Sequence, residues 1–238
     1  MKAYVITLEG DDLSENAADN LIASSIEYNN PFTIEKIKAV TPSQVYPLFN
    51  ELGIKWNYPW DGSMLDISSG LYKQAYETKD IKKRMACFLS HYLIWLKHDD
   101  EPVLVFEHDA LFTKKLSDEI LNLFSASKYS IISLNDPRGV TRKSKQYYDQ
   151  IVSSSLRTFP TNCVEVPTID DMRVPQGLPG NSAYMIKPTG GELLKSLVKE
   201  FGAWPNDAIM CKQLMPNQLG CAYPFYTTTQ KIQSTTTL

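Results

Sequence analysis

The stretch EPVLVFEHDALF, residues 101–112, is apolar from Val103 to Phe106 and then sets Glu107, His108 and Asp109 in succession. In an extended chain residues two apart point to the same side. On a continued strand Glu107 and Asp109 therefore converge on one point while His108 faces away. Two carboxylates so placed suit a hard divalent cation with oxygen ligands, manganese or magnesium, shared with the phosphates of a substrate. The same triplet also serves as a polar strand end whose acids cap the next turn or pair with a lysine, and spacing alone leaves both readings open.

Other reactive side chains are few. The histidines are His91, His98 and His108, and the cysteines Cys87, Cys163, Cys211 and Cys221 contain no C-x-x-C pair. His91 and His98 lie two turns apart on a helix, beyond the one-turn spacing with which two rings chelate a metal, so no zinc site is expected and the cysteines read as buried free thiols. His91 borders an apolar helical stripe and is expected as a hydrogen-bonded core or cleft histidine. Ser90 and His91 diverge by about 100° on a helix and form no nucleophile–base couple. Asp207, after Trp204 and Pro205, stands at a predicted helix start, as a base or as a cap. Gly180 and Asn181 lead into a strand, where a glycine either lets backbone approach a ligand or makes a plain turn. Arg84 opens the central helix as a phosphate contact or a solvated charge.

The elements that must position these residues alternate. Ala3 to Leu8 has strand composition, LSENAADNLIASSI carries Leu13, Ala17, Leu21 and Ile22 at helical spacing behind Asp11 and Asp12, and FTIEKIKAV reads as a second strand. This β-α-β opening predicts an α/β domain with a mostly parallel sheet. MACFLSHYLIWLKH places Met85, Phe88, Leu89, Tyr92, Trp95 and Leu96 on one stripe, with Ser90 and Lys97 opposite. The strand Val103 to Phe106, apolar throughout, is expected at the sheet's centre. Strands at SIISL and NSAYMIK, a helix at GELLKSLVKEF and another opening at WPNDAIMCKQL follow. Residues 41–80 read as an aromatic-rich insertion, either packed on the body or lining a cleft, residues 135–161 as a polar, basic loop, and TTTQKIQSTTTL as a frayed tail.

The 238 residues, 43% hydrophobic and 21% charged, fit one soluble domain spanning 1–238, and a net charge of −3 argues against general affinity for nucleic acid or an anionic membrane. MKAYVITLEGDD turns acidic too early for a signal peptide and no stretch reaches membrane-spanning length, so a cytoplasmic location is expected.

Taken together, RMACFLSHYLIWLKHDDEPVLVFEHDALF resembles the central motif of glycosyltransferase family 25, the lipopolysaccharide-type and collagen-type galactosyltransferases, in which a cysteine and a Ser-His pair on a helix precede a strand ending in Glu-Asp-Asp. YVITLEG is similar to that family's opening strand, PGNSAYMIKPTGGELL to its Gly-x-x-Ala-Tyr-x-Ile segment and WPNDAIM to its Pro-x-Asp, in the same order. The resemblance implies a GT-A type fold, a UDP-sugar donor, a manganese or magnesium ion and inversion at the anomeric carbon. It places metal ligation on Glu107, His108 and Asp109, catalysis on Asp207 with His91, and donor contacts on Thr7, Leu8, Glu9, Arg84, Glu107, Gly180 and Asn181. His108 stands where the family has its middle Asp, and Glu9, Asp11 and Asp12 where relatives carry basic residues. A glycan or lipopolysaccharide, a protein side chain and a hydroxylated DNA base are the acceptors considered. A catalytically silent nucleotide- or glycan-binding module on the same fold is the alternative, and a phosphohydrolase would need more clustered metal ligands.

Overall fold

The structure, a computed structural model, describes residues 1–76, 78–97, 100–140, 143–157 and 163–232. His98, residues 141–142 and 158–161 of the predicted polar loop and residues 233–238 of the predicted tail lie outside them. The chain opens with β1 (Lys2–Thr7), α1 (Asp12–Glu27) and β2 (Ile34–Lys38). Asp11 caps α1, its carboxylate accepting from the Ser14 backbone N–H at 2.9 Å. Then come α2 (Val45–Leu52), the hairpin β3 (Ser63–Asp66) and β4 (Leu71–Gln74), the long helix α3 (Ile81–Lys97), β5 (Val103–Glu107) and β6 (Ala110–Phe112). The second half comprises α4 (Asp118–Ala126), β7 (Ile131–Ser133), α5 (Ser144–Arg157), β8 (Cys163–Glu165), β9 (Ala183–Ile186), α6 (Pro188–Phe201), α7 (Asn206–Ile209), β10 (Leu219–Ala222) and β11 (Thr227–Thr229).

Seven strands form the main sheet in the order β2-β1-β5-β9-β7-β10-β8. β2, β1, β5, β7 and β10 run one way, and β9 and β8 run against them. The architecture is thus α/β with a mixed, mostly parallel sheet. Period-two alternation divides the core. Val103 and Val105 face the layer that holds Phe88, Leu89 and Trp95 of α3 and Leu194 and Val198 of α6. Leu104 and Phe106 face the layer of Leu21 from α1 and Leu121 and Phe124 from α4. A strand covered on both faces has no polar side, which is why β5 stays apolar until it emerges at Glu107.

Several expectations need correction. Residues 144–157 are helical, because Tyr147 and Ile151, one turn apart, are both buried against the core while the polar residues between them face out. Thr227–Thr229 is no frayed tail but a strand antiparallel to β6. The 41–80 segment packs on the body as one of its two readings expected, with a helix and a hairpin: Phe49 and Tyr58 are buried in the core, and Trp56 stacks on Trp60 with centroids 5.3 Å apart. Ser90, expected on the outer face of α3, is buried: its hydroxyl donates to the Ala86 carbonyl at 2.8 Å and accepts from the Val40 N–H at 2.9 Å. The hydroxyl ties the end of the β2 segment to the helix, a contact that helical periodicity does not show.

The hairpin is fastened by a buried charge. Lys73, fully buried, donates to Asp66 Oδ2 and to the Asn57 carbonyl, each at 2.8 Å, and sits 3.8 Å from the centroid of the Trp204 ring. Burial works to raise the Asp66 pKa, but hydrogen bonds from Lys73, Ser69 and Ser68 outweigh it and bring the carboxyl down to about 2. A carboxyl lowered on folding contributes stability above its ordinary value near 4, and that contribution is lost as pH falls toward 2. Asp66→Ala leaves the lysine without its counter-charge and is expected to cost ~3–5 kcal/mol in urea unfolding at pH 7, with a shallower loss of stability on acidification than in the wild type.

Candidate active site

A cavity of about 690 Å³ opens beyond the carboxyl ends of β1, β2 and β5, where open α/β sheets leave room for ligands. Its wall is built from four places. Leu8 and Asp11 follow β1, and Glu107 to Asp109 end β5. Arg84, Cys87 and His91 come from α3, where steps of three and four residues put them on one face. The fourth part is Gly180 and Asn181 before β9, together with Asn206 and Asp207 of α7.

The fold thus brings Leu8, Arg84, His91, Glu107, His108, Asp109, Gly180, Asn181 and Asp207 to one cavity. Thr7 and Glu9 lie outside its lining: the Thr7 hydroxyl donates to the Val5 carbonyl at 3.4 Å, and Glu9 pairs with Lys38 at 2.6 Å on the surface. His108 does not face away as strand alternation predicted. The strand stops at Glu107 and the chain turns through His108 and Asp109, so the two-residue repeat ends there and all three side chains reach the cavity. Cys87, Asn206 and Tyr184 are functional candidates that sequence reasoning passed over. For Cys87 a signal existed in its one-turn spacing from His91, and Tyr184 is the Tyr of the Gly-x-x-Ala-Tyr-x-Ile segment; for Asn206 there was none beyond its place between Pro205 and Asp207.

Glycine requirements fix the last part of the wall. A Cβ on Gly177 would lie 2.0 Å from the Asp207 carbonyl oxygen, so only glycine lets this segment pass against α7. Gly180 has a φ of +94°, and a Cβ there would meet the Val140 side chain at 2.8 Å.

Glu107 anchors a buried hydrogen-bond chain. Its Oε1 is 3.2 Å from His91 Nε2, His91 Nδ1 is 2.8 Å from the Tyr184 hydroxyl, and that oxygen accepts from Trp95 Nε1 at 3.0 Å. An ionised carboxylate only accepts, so Nε2 carries the hydrogen; with Nδ1 accepting from Tyr184, every group in the chain is paired. Burial raises the Glu107 pKa, but the hydrogen bond from His91, with His108 and Arg84 nearby, brings it below the ordinary value. Asp109 behaves oppositely. Burial, then the charge on Glu107, pushes its carboxyl up to about 7. Asp207 is also raised by burial, against the pull of Arg84 and a hydrogen bond from the Tyr76 hydroxyl. It is not the cap of α7, a position held by Pro205. His108 is lowered by burial despite Glu107, Asp11 and a bond to the Ile6 backbone.

Five buried polar atoms on this wall find no partner among the described residues: Arg84 Nε, Asp109 Oδ1, Asn206 Oδ1, and both Oδ1 and Nδ2 of Asn181. Leaving such an atom unpaired costs about 1–3 kcal/mol, and native proteins keep few of them. Their convergence on one cavity marks it as a site for a polar ligand that completes them.

The turn carrying the acids is held from a distance. Gln230, just after β11, donates its backbone N–H to the Asp109 carbonyl at 2.8 Å. Its side-chain Nε2 donates to the carbonyls of Ala17 at 2.8 Å, Ala110 at 3.0 Å and His108 at 3.2 Å. Both residues after the strand are therefore fixed through their backbone.

The sequence matches the profile of glycosyltransferase family 25 (LPS biosynthesis protein) over residues 2–210. The chain belongs to that family of sugar-transferring enzymes. No curated protein sequence matches it. Among solved structures it is similar to the glycosyltransferase GlyE of Streptococcus pneumoniae TIGR4, with 13% identity and a TM-score of 0.39 over 93% of this chain and 45% of that one. It is also similar to mouse xyloside xylosyltransferase 1, at 9% identity and a TM-score of 0.46 over 92% and 83% of the two chains. A third is residues 1–349 of TarS from S. aureus, at 12% identity and 0.47 over 96% and 60%. The chain spans less than half the length of GlyE. These likenesses are remote and speak to none of the chemistry. Among the described residues no helix is long and apolar enough to cross a membrane.

A carboxyl raised on folding binds its proton more tightly in the folded state, so stability falls as pH climbs from its ordinary value near 4 to about 7. Thermal unfolding of the metal-free protein across that range is expected to show this decline, and Asp109→Asn to remove part of it while leaving the acid-side behaviour of Asp66 intact.

Proposed function

We propose that this chain, a family 25 member on a GT-A type fold, transfers a sugar from a UDP-sugar to a hydroxyl of a glycan or lipopolysaccharide acceptor, with inversion at the anomeric carbon and with help from a divalent cation. The observation that carries the reading is the cluster of unpaired buried groups in the 690 Å³ cavity: a guanidinium, a carboxylate and two amides, the donors and acceptors that a nucleotide sugar needs. The lipopolysaccharide acceptor follows the family description.

Asp207 is the proposed base. Its carboxyl, raised by burial, accepts a proton more readily than an ordinary aspartate, as removal of the acceptor hydroxyl's proton requires. The Tyr76 hydroxyl that donates to it fixes its orientation. Arg84, its Nε unpaired and its guanidinium 4.8 Å from the Tyr76 ring centroid, offers positive charge to the departing diphosphate. The Asn181 and Asn206 amides supply hydrogen bonds to sugar or acceptor hydroxyls.

The residues present fit a cation. Asp109 has an unpaired buried oxygen and is raised by the charge of Glu107, a repulsion that a positive ion between the two would relieve. Asp109 with Glu107 would hold manganese or magnesium, which as a Lewis acid would lower the charge of the leaving diphosphate. His108, bonded to the Ile6 backbone, borders that pair.

Two variants test the reading by UDP release and by UDP-dependent thermal stabilisation with and without manganese. Asp207→Asn is expected to lower turnover by about 100-fold or more while keeping UDP binding. Asp109→Ala is expected to abolish the manganese-dependent part of the stabilisation. Full turnover by Asp207→Asn would remove that residue as the base, and wild-type protein that binds UDP with manganese but turns over no donor would favour a silent binding module.

A further inference from the structure

The cavity wall holds a second grouping, of a different chemical character. Cys87 and His91 are one turn apart on α3 and face the end of β5, and one ligand atom each from Cys87, His91 and Glu107 lie within 4.8 Å of one another. Sulfur, imidazole nitrogen and carboxylate oxygen are the donor set of borderline and thiophilic ions rather than of magnesium. Donors on a tetrahedral zinc ion stand about 3.5 Å apart, so small rotations of these side chains close the set.

We propose that Cys87, His91 and Glu107 form a three-ligand site for a thiophilic divalent cation of the zinc and cobalt class, overlapping the hard-cation pair of Glu107 and Asp109 at Glu107.

Three features support it. Glu107 and His91 are already held in place, His91 by the Tyr184 hydroxyl at 2.8 Å from the nitrogen that does not face the site, the outer-shell contact that metal-bound histidines usually have. Cys87 is partly exposed where the other three cysteines are buried, and its sulfur accepts a weak hydrogen bond from Asn206 Nδ2 at 3.7 Å. All three residues line the cavity, so a fourth coordination position is open to water or a ligand oxygen, as in catalytic zinc sites.

Binding balances as follows. The Cys87 thiol proton leaves to solvent as the sulfur–metal bond forms. The proton on His91 Nε2 leaves as Nδ1 takes one up, the Tyr184 hydroxyl changing from donor to acceptor at Nδ1, and Glu107 gives up its bond from His91 for the ion. Because Glu107 is shared, a thiophilic ion and a hard cation compete. The site itself does not depend on the sugar-transfer reading.

The probe is cobalt(II) alone, added to the full chain without nucleotide. One equivalent is expected to give a thiolate-to-cobalt charge-transfer band in the near ultraviolet and tetrahedral bands in the visible, both displaced by zinc, retained in Asp109→Asn and lost in Cys87→Ser. In the wild type, zinc is expected to slow alkylation of Cys87 by N-ethylmaleimide at least tenfold, read by peptide mass spectrometry. Absence of the thiolate band in wild type, or its persistence in folded Cys87→Ser, overturns the site. Should Cys87→Ser fail to fold, an unchanged alkylation rate of Cys87 with zinc overturns it equally.

Discussion

An ionised carboxylate at the mouth of a wholly buried strand is the constraint around which this molecule is arranged. β5 is covered on both faces, so Glu107 is the first side chain on it able to meet anything polar. Charge there is sustained only by partners, and the chain supplies them in sequence: His91, then Tyr184 from the neighbouring strand, then Trp95. Two of these three lie on α3 and one on β9, so the hydrogen-bond chain also fixes the helix against the sheet. The arrangement has a second effect. With Glu107 kept negative, its neighbour Asp109 is driven the other way, and two acids two residues apart come to differ in their affinity for protons. Separating paired carboxylates in this manner is how a site obtains distinct roles from identical groups.

The cavity wall gives up stability. Its unpaired amide, guanidinium and carboxylate atoms would be better off in water or in a complex, and burial of the two apolar core layers on either face of the sheet offsets that cost. Functional sites commonly carry such local cost on a rigid frame. Here the frame reaches the site through glycine at 177 and 180, positions where any side chain would push α7 or the Val140 segment out of place.

Much of this was legible beforehand, and the reasons for what was not are physical. The β-α-β opening, the helix around Phe88 and the buried strand at 103–106 were readable because periodicity reports burial directly. The motif residues of the acidic triplet, the helix and the Pro-x-Asp segment could be named from sequence, and the fold places them on one wall. The failures share a cause. α5 looked like a polar loop because few residues anchor it, Tyr147 and Ile151 buried and Tyr148 partly so, too few for a pattern. Ser90 looked external because its partner, Val40, is 50 residues away. His108 was assigned the wrong side because alternation holds only while a strand continues. Local rules cannot see a contact made by a distant element, nor the residue at which an element ends.

Gln230 shows what such a distant contact entails for the life of the chain. It reaches back 122 residues to His108 and 120 to Ala110, so the bend that aims the acids is shaped by residues synthesised long after it. The acidic corner of the cavity is therefore set in place only once the strand at 227–229 has paired with β6.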